Sequence, residues 1–136
     1  MQTDGAVVCD ASVLASIAFG DPHSEDARAL ARLRRLFAPS LLRYELAHIA
    51  VRRSMTPGDD SGPVLQAFAA SLRVPVRLVE PSWQHVFELA RTHRLSAYDA
   101  SYLQVALALR VPLATLDRRL ARVADGLGIG ARPHPA

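Results

Sequence analysis

The segment AVVCDASVL, residues 6–14, sets the pattern on which the fold of the whole chain is predicted. Its first four residues form a short apolar run with β-branched side chains, which predicts a strand buried on both faces. Asp10 follows this run directly, and a helix is predicted from about residue 12, with Ser12 able to cap its free amides. The first predicted unit is therefore a buried strand that ends at a carboxylate.

Strands and helices are predicted to alternate along the rest of the chain. Further strands are predicted in LRRLFAP, VPVRLVE and VPLATLD, with a short terminal strand from Ile129. The other predicted helices start at Ser24 or span Ser40–Arg53, Val64–Leu72, Ser82–His93, Ser96–Leu109 and 118–127. Residues 55–63, MTPGDDSGP, predict a loop in which Asp59 and Asp60 form a solvated turn. Apolar strands separated by helices predict a three-layer α/β/α fold with a parallel sheet.

Length and composition predict one domain over residues 1–136. Half of the residues are hydrophobic, which is enough for one autonomous core in a chain of this size. The start of the chain has neither a basic leader nor a long apolar run, so a soluble cytoplasmic protein is expected. Cys9 is the single cysteine, which excludes an internal disulfide and favours a buried, chemically inert thiol.

The basic residues are all arginine, and the formal net charge is +3. Without the four acids discussed next, 16 basic residues face 9 acidic ones, a balance that suits a polyanionic partner such as nucleic acid. A genome-wide codon bias explains the same arginine content equally well, and both interpretations remain open. The lack of lysine excludes a phosphate-binding loop ending in Gly-Lys-Ser/Thr, Schiff-base chemistry and a lysine-anchored phosphoryl-aspartate site.

Four acids occur where carboxylates are unusual, and each also has an ordinary explanation. Asp10 and Asp117 follow predicted strands, yet either could simply cap the next helix. Asp99 stands three residues after Ser96, at the spacing of a capping box. Glu45 could be a surface helix residue, although its neighbours one turn away are apolar and predict partial burial.

The joint interpretation of the four acids is a metal-dependent site. Carboxylates that converge at the ends of parallel strands repel each other by about 4 kcal/mol per close pair at an effective dielectric constant near 20, so a cation would have to offset them. Oxygen ligands favour Mg²⁺ or Mn²⁺ over zinc. Such an ion can orient a phosphate and activate water, so the predicted reaction is phosphodiester hydrolysis.

The segments VVCDASVL, RYELAHI, LSAYDASYLQVA and LATLDRRLARVA closely resemble PIN-domain endoribonucleases, in particular the VapC toxins of type II toxin-antitoxin systems. The resemblance implies a parallel sheet of about five strands, Mg²⁺-dependent RNA cleavage, a homodimer and a cognate antitoxin protein. It also implies that Asp10, Glu45, Asp99 and Asp117 are the catalytic, metal-binding acids. Ser12 and Thr115 would then be in supporting contact with them.

One departure from the resembled pattern concerns the residues after the fourth acid. Some relatives carry a further acid there, whereas this chain has Arg118 and Arg119, which argues against a second metal site. These arginines, with Arg122 and Arg52, are candidates for RNA phosphate contacts, although a solvated helix face is an equally good explanation. The alternative function is a catalytically inactive PIN-like module that binds RNA or a protein without cutting.

Overall fold

A computed structural model describes residues 5–21, 24–32, 35–58 and 61–131. Within these residues, five strands form one parallel sheet in the order β3-β2-β1-β4-β5. The strands are β1 (Ala6–Cys9), β2 (Arg35–Pro39), β3 (Val76–Val79), β4 (Leu113–Ala114) and β5 (Gly130–Ala131). The parallel α/β fold predicted from the sequence is confirmed.

Helices cover the sheet and connect its strands. Their bounds are α1 (Ala11–Phe19), α2 (Ser24–Arg32), α3 (Leu42–Ser54), α4 (Ser61–Leu72), α5 (Trp83–His93), α6 (Ala97–Leu109) and α7 (Arg118–Gly126). The first four of these helices pack against one another, while α6 packs against α5 and against β1, β2 and β4. In the described part of the chain, no helix is both long and apolar enough to cross a lipid bilayer.

The central strand β1 is fully buried, as its apolar sequence predicts. All four of its residues lie in the core, and the side chains of Val7 and Val8 have no exposed surface. The neighbouring helix α6 contributes a continuous buried stretch that includes Tyr102 and Leu103. β1 is thus the central strand of the sheet and is buried along its whole length.

The order of the strands places a crevice beside β1. The chain proceeds from β1 outward to β2 and β3, and then returns to pair β4 with the other edge of β1. Ligands of open parallel sheets bind at such a switch point, beyond the carboxyl ends of the strands. Asp10 follows the end of β1, and its backbone N–H donates to the Ala114 carbonyl of β4 at 3.2 Å. The topology therefore positions Asp10 at the place where a ligand is expected.

Two of the predicted helix caps are wrong. Helix α1 begins at Ala11 and is capped by Asp10 rather than by Ser12, because the side chain of Asp10 accepts from the N–H of Val13. Ser40 does not cap α3, since Leu41 occupies the cap position without a side-chain hydrogen bond. The predicted Ser96 cap is confirmed, as its side chain accepts from the backbone N–H of Asp99.

Two predicted boundaries also differ from the structure. The strand predicted in residues 111–117 is only two residues long, because the N–H of Leu116 bonds to the Ser12 hydroxyl at 2.9 Å and leaves the sheet. Helix α4 begins at Ser61, three residues before the prediction, because Pro63 lies in the first turn, where its missing N–H has no helical partner to lose. Asp59 and Asp60, predicted as a solvated turn, lie outside the described residues.

Candidate active site

Asp10 is held by three hydrogen bonds at the junction of β1 and α1. Its Oδ1 atom accepts from the Ser12 hydroxyl at 2.5 Å and from the Val13 N–H at 3.3 Å. The Thr115 hydroxyl, which follows β4, donates to Oδ2. Both carboxylate oxygens are thus fixed, and the supporting contacts expected from Ser12 and Thr115 are present in the structure.

Burial makes the charged form of Asp10 costly. The residue is only 6 % exposed, and this desolvation raises its pKa from the ordinary 3.8 to about 6. Hydrogen bonds from Ser12, Thr115 and the Val13 N–H act in the opposite direction, while the negative charge of Asp99 raises the pKa further. Asp10 is therefore a buried carboxylate whose negative charge the fold only partly compensates.

Glu45 reaches the same region from α3 and is tied to α6. The hydroxyl of Tyr102, a residue that is only 1 % exposed, donates to Oε1 of Glu45 at 2.6 Å. Desolvation raises the pKa of Glu45, the Tyr102 hydrogen bond and His48 lower it, and the charge of Asp99 raises it. The hydrogen bond joins two helices that are far apart in the sequence and fixes the direction of the Glu45 carboxylate.

Asp99 and Asp117 lie in the first turn of α6 and at the cap of α7. Asp99 is half-buried, and desolvation followed by the charge of Asp117 raises its pKa. Asp117 is exposed and caps its helix, because its Oδ1 accepts from the Leu120 N–H at 2.9 Å. The helix-cap explanation is correct for Asp117, and at Asp99 the Ser96 half of the capping box is present, since the Ser96 hydroxyl accepts from the Asp99 N–H at 3.0 Å. Neither excludes a second role, because each carboxylate keeps free lone pairs.

The four acids line one cavity of about 700 Å³. Its other lining residues are Ala11, Ser12, Leu41, Tyr44, His48, Ile49, Tyr98 and Tyr102. The convergence predicted from the sequence is thus present, because the topology brings the end of β1 and the starts of α6 and α7 to one edge. The pKa values of three of the acids are raised in part by a neighbouring acid, which shows that their charges interact.

The chemistry of these side chains fits a hard divalent cation. Their carboxylate oxygens are the donors that Mg²⁺ and Mn²⁺ prefer, and a cation would relieve the repulsion among them. As the side chains stand, no three carboxylate, imidazole or thiol groups of the described residues lie close enough to hold one ion. The cavity that the four acids share leaves room for an ion among them. Cys9, whose thiol pKa burial raises to about 12, is a poor ligand.

The candidate RNA-binding arginines lie outside the cavity lining. Arg52, Arg118 and Arg122 are exposed on helices α3 and α7. Arg119 is nearer to the acids, since its charge lowers the pKa of Asp99 while its guanidinium donates to the backbone carbonyl of Arg94. Arg119 is therefore coupled electrostatically to an acid of the cavity.

Sequence patterns missed three tyrosines of the cavity. Tyr102 stands three residues after Asp99, and helix periodicity assigns such a residue to a face but not to a hydrogen-bond partner. Tyr44 and Tyr98 each stand one residue before a candidate acid, and that adjacency was the available signal. His48 is also exposed at the cavity.

Comparison with known families identifies the family to which the region containing the four acids belongs. The model of the PIN domain family matches residues 7–126, from β1 to the end of α7. The chain belongs to the PIN domain family. The matched region contains Asp10, Glu45, Asp99 and Asp117, and the resemblance predicted from the four sequence motifs is confirmed.

Two characterised relatives carry ribonuclease names. Ribonuclease VapC3 of Pyrobaculum aerophilum is 30% identical over 120 residues, which cover 85% of this chain and 92% of the relative. Ribonuclease VapC1 of Mycobacterium tuberculosis is 39% identical over 98 residues, or 66% of this chain and 68% of the relative. This PIN domain is therefore similar to VapC proteins over most of its length.

Solved structures show the same fold at low sequence identity. A Pyrobaculum aerophilum protein, PAE2754, aligns with a TM-score of 0.68 and 23% identity, covering 88% of this chain and 83% of that chain. VapC20 of Mycobacterium tuberculosis is described as a toxin that cleaves the sarcin-ricin loop. It aligns with a TM-score of 0.65 and 16% identity, covering 86% of this chain and 94% of that chain. VapBC2 of Rickettsia felis, solved with a promoter DNA fragment, aligns with a TM-score of 0.62 and 13% identity, covering 87% of this chain and 92% of that chain. These likenesses establish the fold that places the acids.

Proposed function

We propose that this protein is a Mg²⁺- or Mn²⁺-dependent endoribonuclease that hydrolyses RNA phosphodiester bonds. The observation that carries the proposal is the convergence of Asp10, Glu45, Asp99 and Asp117 on one cavity at the switch point of a PIN domain. The ribonuclease names of two VapC relatives support RNA as the substrate. The acids would act together as metal ligands, because only a cation makes this concentration of carboxylates favourable.

The acids have different parts in this mechanism. Asp10, fixed by Ser12 and Thr115, would provide the permanent anchor for the cation, and Glu45 would contribute a second carboxylate from α3. Asp99 and Asp117, at helix starts, would complete the set of ligands. A bound divalent ion would orient the scissile phosphate, lower the pKa of the attacking water and stabilise charge on the leaving oxygen.

We further propose that the protein acts in the cytoplasm as the toxin of a toxin-antitoxin pair. The description of VapC20 as a toxin and the VapBC2 complex of Rickettsia felis support this role and a cognate antitoxin as partner. The family resemblance adds a homodimer. Arg52, Arg118, Arg119 and Arg122 would contribute phosphate contacts outside the cavity, with an affinity that falls as salt concentration rises.

The test is cleavage of single-stranded RNA by the purified protein in Mg²⁺ or Mn²⁺, with a chelator control. Cleavage should require the metal and should fall about a hundredfold in Asp99→Asn, which removes one ligand charge while retaining the side-chain volume. Circular dichroism and thermal melting check that the variant is folded. RNA binding without metal-dependent cleavage by the folded wild-type protein would disprove the nuclease and favour the inactive PIN-like module.

A further inference from the structure

Two strongly exposed tyrosines stand at the cavity. Tyr44 is 80 % and Tyr98 is 64 % exposed, and both residues line the cavity that holds the acids. Tyr44 directly precedes Glu45 on α3, and Tyr98 directly precedes Asp99 on α6. Since both members of each pair line the same cavity, each tyrosine stands at the cavity next to a proposed metal ligand.

The two helices that carry these tyrosines meet across the cavity. The hydroxyl of Tyr102 on α6 reaches Glu45 on α3 at 2.6 Å, which fixes the distance between the helices at this level. Tyr44 and Tyr98 therefore border the reacting region from two separate elements. A nucleotide chain lying over the acids would pass between or beside both rings.

Folding does not account for the position of either ring. Among the described residues, neither phenol oxygen has a hydrogen-bond partner, and neither ring belongs to the buried core. Exposed aromatic side chains that border a cavity are typical of binding surfaces, since their flat faces lose little entropy when a ligand covers them. Both tyrosines are available to a bound molecule.

The charge of the cavity limits how RNA can be held there. Within the described residues, the cavity lining includes four acids and no arginine, so its side chains repel phosphates that no cation has neutralised. Stacking of a nucleobase on an aromatic ring does not require charge, and it accepts any base because each has a π-face. The tyrosines supply the attractive surface that the acids cannot.

We propose that Tyr44 and Tyr98 are stacking platforms for unpaired nucleobases on either side of the scissile phosphate. This inference rests on the proposed nuclease function and assigns two residues of this chain to base binding at that site. Bases within a continuous duplex are stacked on one another and cannot cover a protein ring, whereas loops, bulges and ends can be splayed out. The protein would therefore cut RNA at unpaired nucleotides and reject the same sequence within a duplex.

The experiment measures RNA binding without cleavage. A short RNA that contains 2-aminopurine, single-stranded or annealed to its complement, is titrated with wild-type protein in Ca²⁺, a hard cation that the same oxygen ligands accept. Gel electrophoresis checks that the RNA stays intact during the titration. Stacking should quench the fluorescence of the single strand only. Adding Tyr44→Leu or Tyr98→Leu should raise Kd about tenfold and reduce the quenching, as expected for the loss of one stacked base. Tyr44→Phe and Tyr98→Phe, which retain the ring, should restore both.

A matched control uses an exposed aromatic residue outside the cavity lining. Phe87 on α5 is 65 % exposed, so Phe87→Leu should leave both Kd and quenching unchanged. The stacking proposal is overturned if the leucine variants bind the single strand like the parent protein, or if duplex RNA binds and quenches equally well. It is also overturned if these variants lose affinity only for the antitoxin.

The wild-type cleavage assay separates this proposal from the function on which it rests. If the wild type cuts single-stranded RNA in Mg²⁺ and KM is unchanged in the leucine variants, the nuclease stands and the stacking subsite fails. If no metal-dependent cleavage of any RNA occurs, the proposed function fails first. A rise in KM with little change in kcat, restored by phenylalanine, supports both.

Discussion

The inner and outer parts of the acidic cavity are built differently. On the inner side, Asp10 follows the buried central strand and has both carboxylate oxygens bonded to neighbouring residues. On the outer side, Glu45, Asp99 and Asp117 project from helices and range from half-buried to exposed. The fold therefore positions the inner acid before any ligand arrives, although burial makes its charged form unfavourable. The outer acids are less desolvated when they are charged, and their side chains are less restrained.

The largest expected effect comes from removing the inner charge. Asp10→Asn should lower kcat/KM for RNA by a thousandfold or more, about 4 kcal/mol, because a fixed ligand cannot be replaced by a neighbouring group. Asp117→Asn should cost only about tenfold to a hundredfold, since this exposed side chain is easily replaced by water as a ligand. Cleavage rates in saturating Mg²⁺ measure the difference, and equal losses would show that the two halves are equivalent.

The next effect is on stability in the absence of metal. The folded pKa of Asp10 is raised above its ordinary value, so its contribution to stability is complete below about pH 4 and is lost as pH rises through about 6. Between those limits, the free energy of unfolding of the metal-free protein should fall by on the order of 3 kcal/mol relative to Asp10→Asn, which cannot ionise. Urea unfolding in a chelator at several pH values measures this difference.

Two results would sharpen or contradict that stability prediction. Mg²⁺ at neutral pH should raise the free energy of unfolding of the wild type and leave that of Asp10→Asn unchanged, because only the wild type carries the inner charge that binds the cation. Parallel stability curves for the two proteins from pH 4 to 7 would mean that the buried carboxylate is not destabilising. Ionisation of the inner acid would then cost no more stability than ionisation of the outer acids.

The sequence predicted the inner half of the site better than the outer half. Asp10 was found because a buried strand with nothing but apolar residues makes a following carboxylate conspicuous, and parallel strands end at one edge. The alternation of strands and helices also fixed the fold class. Short-range rules failed where a distant partner decides the structure, as at Leu116, whose N–H leaves β4 for the hydroxyl of Ser12.

Other features of the site depend on contacts that spacing does not encode. The link from Tyr102 to Glu45 joins residues 57 positions apart, and no local pattern predicts it. Tyr44 and Tyr98 occupy helix faces whose exposure depends on the packing of α3 and α6 together. The single domain over residues 1–136 stays a prediction, since the family match ends at residue 126.

A smaller effect is expected from loosening the inner acid without removing it. Thr115→Val retains the shape of the side chain but deletes the hydroxyl that donates to Asp10 and accepts from the Asp117 N–H at 3.0 Å. Loss of a hydrogen bond to a carboxylate costs roughly 1.5 kcal/mol, so kcat/KM at neutral pH should fall about tenfold. The acidic limb of the pH–rate profile should move to higher pH. An unmoved limb would mean that Thr115 does not support the Asp10 charge.

The smallest effect should come from releasing an outer acid. Tyr102→Phe removes the hydroxyl that donates to Glu45 but keeps the buried ring. Water then takes the place of that donor, and the carboxylate gains conformational freedom. The affinity for Mn²⁺, measured by titration calorimetry, should fall about fivefold, or roughly 1 kcal/mol, the net worth of one hydrogen bond. Unfolding stability without metal should change less, because Glu45 is half-buried and water can reach it. A drop in stability with unchanged Mn²⁺ affinity would show that the hydroxyl supports packing alone, and that the outer acids need no positioning by the fold.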